Sequence, residues 1–93
     1  MVRALVLYGE APDPDRYADH VEFCRRVPGA TFRLGPVFGA PMGEPAHRCY
    51  AEWEFADEES FTAATRSDEF MATGKDAYKR GWPLPSVEFV RVE

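Results

Sequence analysis

Arg48-Cys-Tyr-Ala-Glu-Trp-Glu-Phe55 alternates Cys49, Ala51, Trp53 and Phe55 with Arg48, Tyr50, Glu52 and Glu54. A period of two marks a strand with two unlike faces, and aromatic side chains suit its pleated surface. Asp57-Glu-Glu-Ser60 follows at once, so a helix begins where the strand stops, with Asp57 as N-cap and acids in the first turn. The spacing therefore predicts a sheet with helices packed on one face.

The other segments fall into place around this strand. Val2 to Tyr8 is apolar at nearly every position except Arg3, the mark of a central strand covered on both faces. Asp13-Pro14 opens a helix reaching to about Val27, where Pro28-Gly29 stops it. On a helical wheel Tyr17, His20, Val21, Cys24 and Val27 share the inward arc, opposite Asp19, Glu22, Arg25 and Arg26. Ala30 to Gly39 is a second strand, assigned to an edge or a bulge because Pro36 has no N–H for a ladder. After the strand to Phe55, a short helix carries Phe61, Ala64 and Thr65 inward. Ser67 caps another, with Phe70, Met71, Gly74, Ala77, Tyr78 and Gly81 on its inner side; close approach to the sheet is the expected reason for Gly74. Val87 to Val92 is the last strand.

Strand, helix, strand, strand, helices, strand is the order of two interleaved right-handed βαβ units. The expected fold is therefore α+β and ferredoxin-like, βαββαβ, a four-stranded antiparallel sheet of order 4-1-3-2 forming one domain over residues 1–93. The helix-free face, with Val, Tyr and Phe at alternate positions, is an apolar patch that a second copy would cover, so a homodimer is expected.

Composition narrows the function. A formal charge of -5 argues against a nucleic-acid partner, which needs a basic face. No leader and no long apolar run is evident, so a cytoplasmic protein without a membrane partner is expected. Cys24 and Cys49 fall on a helix and on the sheet beneath it, farther apart than the roughly 7 Å limit for a bridged Cα pair, and are read as reduced. His20, Cys24, His47 and Cys49 lack a zinc knuckle, so no metal is expected. No phosphate loop, dinucleotide fingerprint or nucleophile elbow occurs either, so no cofactor is expected.

His20 stands out as a titratable ring inside an apolar stripe. It is either a core histidine satisfied by a carbonyl or a nearby acid, or a general acid or base facing a cavity. Tyr17, one turn earlier, is its candidate partner on a substrate oxygen, and is equally readable as a core aromatic. Tyr50, Trp53, Tyr78 and Trp82 are candidate walls of an aromatic pocket, with Trp82 at its mouth, and the first three are equally readable as ordinary packing. Arg33 and His47 are further polar candidates, and both also suit plain surface.

The segments Leu7-Tyr-Gly-Glu10, Asp13-Pro14 with Tyr17 and His20, Pro28-Gly29, and Ala51-Glu-Trp-Glu-Phe55 together resemble the EthD-like family of dimeric α/β-barrel proteins. The resemblance spans nearly the whole chain. It implies a cavity beside the sheet for a small hydrophobic, often aromatic, molecule. It also implies a cofactor-free enzyme of secondary metabolism or aromatic breakdown acting on a carbonyl compound as a cyclase, isomerase, dehydratase or decarboxylase, with His20 moving the proton. A cofactor-independent monooxygenase and a non-catalytic binding or accessory module are the alternatives. The chain departs from the family in lacking a second His, followed by Pro and Leu, after His20; Pro28-Gly29 arrives a few residues early.

Overall fold

The computed structural model describes residues 1–93. Its elements are β1 (Val2–Tyr8), α1 (Pro14–Arg25), β2 (Ala30–Pro36), β3 (Cys49–Phe55), α2 (Glu58–Thr65), α3 (Asp68–Arg80) and β4 (Ser86–Arg91). The strands form one sheet in the order β2-β3-β1-β4, with every neighbouring pair antiparallel. β1 and β3 are central, as their apolar character requires, and Pro36 sits on an edge strand, where its missing N–H costs no ladder bond. No helix is long and apolar enough to cross a membrane.

Register sorts the side chains. Val2, Ala4, Val6 and Tyr8 lie opposite Phe55, Trp53, Ala51 and Cys49, and all eight are buried beneath the helices. Trp53 is clamped between Phe32 and Phe70, at ring-centre distances of 5.3 and 5.5 Å, and its indole N–H donates to the Cys24 carbonyl at 2.8 Å. That bond ties α1 to the middle of the sheet and leaves no buried donor unpaired on the ring. Phe55, Phe61 and Phe89 continue the aromatic row edge to face.

Four details differ from the expectation. Helix α1 ends at Arg25 instead of Val27, because Pro28 disfavours helical backbone in the residue before it. Val27 is buried all the same, and Gly29 turns the chain with φ 72°. Strand β2 stops at Pro36; Val37 donates one more bond to Arg48, after which Phe38 stands wholly in solvent. Helix α3 is turned relative to its apolar stripe: Thr73 is its one buried residue, whereas Tyr78 is 83% exposed. Gly74 meets nothing within 4 Å of where a Cβ would stand, so close approach does not explain it.

The helix-free face is also less apolar than expected. Leu5, Leu7, Tyr50 and Val90 occupy it, but its centre is ionic. Glu52 lies 3.5 Å from Arg3 and 3.4 Å from Arg33, while Glu54 lies 3.1 and 3.2 Å from the same two arginines. The Glu52 side chain is only 7% exposed although no helix covers that face, because the two guanidinium groups roof it over. The phenylalanines at Phe32 and Phe89 belong to the helix side. Both cysteines are free and buried.

Candidate active site

Two helix starts set the phase of the site. The Asp13 carboxylate accepts from the backbone N–H groups of Asp15 and Arg16, with Pro14 in the first turn, and this start turns Tyr17, His20 and Cys24 inward. Ser67 caps α3 by accepting from the Phe70 N–H at 3.2 Å, and nine residues on Asp76 faces α1. His20 Nδ1 and Asp76 Oδ2 are then 2.7 Å apart, a bond that spans 56 residues of sequence. Arg80, one turn beyond Asp76, donates from Nε to the same Oδ2 at 2.7 Å.

Three rings enclose the imidazole or back it. Tyr17 stacks on His20 at 6.1 Å, Trp82 meets it edge-on at 5.1 Å, and Tyr8 stands edge-on to Tyr17 at 5.8 Å. Trp82 is itself held between two guanidinium groups, Arg16 at 5.9 Å and Arg80 at 5.5 Å. Arg16 completes the frame by donating from Nη2 to the Arg80 carbonyl at 2.8 Å. Gly81, in the left-handed region at φ 70°, ends α3 and swings Trp82 back over α1.

The electrostatics follow from this packing. Burial pushes the Asp76 carboxyl up, but the bonds from Arg80 and His20 outweigh it and hold the group below the usual carboxylate range. Asp76 is therefore ionised at neutral pH, and Nδ1 carries the proton that bonds it. His20 is bonded through Nδ1 and has no hydrogen-bond partner at Nε2, and no buried side-chain nitrogen or oxygen is left unpaired. Burial raises the Tyr8 hydroxyl and the Cys24 thiol each to about 12 and drives Tyr17 higher still, so all three remain protonated.

The surface that His20 reaches is a groove of about 500 Å³ between α3 and β4. The stripe of α3 that seemed destined for the core lines it: Phe70, Met71, Gly74, Ala77 and Tyr78. Val87 and Phe89 of β4 form the opposite wall, with Val6 and Trp53 at the base. No Asp, Glu, Lys or Arg lines it, and the hydroxyls of its Thr65 and Thr73 donate to the Thr62 and Phe70 carbonyls. Its one titratable base is His20. A second cavity of about 560 Å³, lined by residues 9–13 and Arg16, shares Tyr8, Trp82, Pro83 and Leu84 with the groove. No three His, Cys, Asp or Glu side chains gather where they could hold a metal.

Of the candidates read from the sequence, His20, Trp53, Tyr78 and Trp82 line the groove, with Tyr78 at its rim. Tyr17 stands behind His20 and does not line it. Tyr50 and Arg33 lie on the opposite face of the sheet, and His47, in the loop before β3, lines neither cavity. Asp76, Arg80 and Tyr8 join the site without having been singled out. Asp76 and Arg80 carry one visible signal, an acid and a base at helical i, i+4 spacing.

Among solved structures the chain aligns end to end with an ethyl tert-butyl ether D (EthD) family protein from Bacillus halodurans C-125. The two are 29% identical, with a TM-score of 0.81 and coverage of 100% of this chain and 99% of the other. The chain is similar to that EthD family protein along its whole length. The same ferredoxin-like fold appears in a dimeric protein of unknown function from Jannaschia sp. CCS1, 17% identical over 98% of both chains with a TM-score of 0.73. It appears again in SnoaB, a cofactor-independent oxygenase from Streptomyces nogalater, 16% identical over 96% of this chain and 85% of that one, at 0.51. No protein-family model matches the chain. No curated protein matches it either.

Proposed function

We propose that this chain is a cofactor-free enzyme that moves a proton on an uncharged hydrophobic molecule, a carbonyl compound or phenol, held in the α3–β4 groove. The observation that carries this reading is the unpartnered Nε2 of His20 opening into an apolar groove while Nδ1 is bonded to an ionised Asp76. A ring fixed in that tautomer presents a lone pair to the ligand, and the carboxylate behind it stabilises the imidazolium formed when a proton is taken. Tyr8 stays a neutral phenol and can donate to a developing oxyanion. The uncharged ligand follows from the lining, since a carboxylate would enter a groove with no cation to meet it. Cyclisation, isomerisation and dehydration of a carbonyl compound can each begin with such a transfer.

The test needs no knowledge of the natural substrate. The probe 5-nitrobenzisoxazole is a neutral bicyclic aromatic; a base removes its ring C–H proton as the N–O bond breaks, releasing a coloured phenolate. Saturable turnover above the buffer rate is expected, with 2-naphthol competing and 2-naphthoate at least about tenfold weaker for want of a cation. Turnover at the buffer rate would leave the binding-module reading, which the absent second histidine favours. The oxygenase reading rests on the likeness to SnoaB and predicts oxygen consumption with a phenolic ligand.

We further infer that two copies pair through their helix-free sheet faces. Leu5, Leu7, Tyr50 and Val90 supply the apolar area, and Glu52 is already shielded from water by Arg3 and Arg33. Several structural neighbours are dimeric. Light scattering at micromolar concentration is expected to give twice the chain mass of 10.5 kDa. A stable monomer there would remove the pairing.

A further inference from the structure

We propose that Arg80 is a positioning residue for His20: its guanidinium pins Asp76 so that Oδ2 meets Nδ1, and its positive charge keeps the ring from holding a second proton, leaving Nε2 as a base. Three contacts converge on this role. Arg80 Nε and His20 Nδ1 share a single carboxylate oxygen, each at 2.7 Å, so the two donors compete for one acceptor. The Arg80 side chain is 18% exposed and Asp76 13%, so the pair lies in the helix seam and is only partly open to water. The Arg80 guanidinium also lies 5.5 Å from the centre of Trp82, whose ring meets His20 edge-on at 5.1 Å.

An Asp–His pair alone favours the imidazolium, because the carboxylate prefers a cation beside it. An imidazolium is no base. The guanidinium supplies that cation permanently, so the carboxylate orients the ring with part of its demand for a cation already met. The remaining neighbours leave the balance to this trio. Tyr17 and Cys24 on α1 and Tyr8 on β1 stay protonated through burial, and Arg16 lies over the Trp82 ring with its Nη2 committed to the Arg80 carbonyl. Asp19, also on α1, bears on Arg80 and strengthens its hold on the proton.

The inference rests on His20 being the acid–base group, yet it can be tested without turnover. The chain has two histidines, so His20 and His47 resolve readily in a proton and nitrogen NMR titration of the full-length protein. Arg80→Gln and Arg80→Met are expected to move the His20 midpoint upward by roughly half a pH unit or more, and Arg80→Lys to restore most of it. Asp76→Asn is expected to move it the other way. The acid limb of kcat/KM for 5-nitrobenzisoxazole should follow the NMR midpoint. An unmoved His20 midpoint in folded Arg80→Gln or Arg80→Met would overturn the proposal. So would failure of both neutral variants to fold, which would assign Arg80 to the fold alone. A protein inactive on the probe but showing these NMR shifts would sink the enzymatic reading and leave the Arg80 role standing.

Discussion

Replacing His20 by alanine is expected to lower turnover of 5-nitrobenzisoxazole by at least about 100-fold, the usual worth of a positioned base. The fold should survive the change. Asp76 keeps Arg80 as partner at 2.7 Å, so removing the ring strands no buried charge. The cost is confined to one lost hydrogen bond and some ring packing against Tyr17 and Trp82, about 1–2 kcal/mol. Kinetics and a denaturant melt on the same sample separate the two effects. Full activity in a well-folded variant would show that the imidazole does no chemistry. Loss of the fold would show instead that Asp76 needs it as a structural partner.

Trp53→Ala is expected to have the largest effect on stability, about 3–5 kcal/mol. The indole is 5% exposed, fills the space between Phe32 and Phe70, and satisfies the Cys24 carbonyl. Alanine removes the ring and leaves that acceptor with only the long 3.4 Å bond from the Val27 N–H. Trp53→Phe separates the two terms, because it keeps most of the ring volume and loses only the N–H bond, for about 1–2 kcal/mol. Urea midpoints for both variants measure this directly. A Trp53→Ala loss under about 1 kcal/mol would mean that the surrounding rings collapse into the space.

The sheet was legible in the sequence because its strands alternate cleanly and its helices carry strong starts: Asp13-Pro14, Asp57 and Ser67 all cap where expected. The candidate site was half legible. His20 announced itself as a polar ring in an apolar arc of α1. Asp76 did not, because α3 turns this polar residue toward α1 and its apolar residues toward the groove. Periodicity finds the apolar side of a helix but cannot tell a core from a cavity. Similarly, β3 alternation separates Tyr50 from Trp53 onto opposite faces, and only the pairing register shows that the groove lies on the Trp53 side.

The His20–Asp76 bond joins the first βαβ half of the chain to the second, and neither half alone contains the site. α1 and α3 meet through this polar contact and the Arg16–Arg80 clasp, while the sheet is knit separately by its own ladders. On the proposed reading, catalytic competence belongs to the seam between two helices, not to the sheet beneath. A small parting of that seam would silence the proposed base while the strands stay paired, so mild heat or denaturant is expected to inactivate the protein well before it melts.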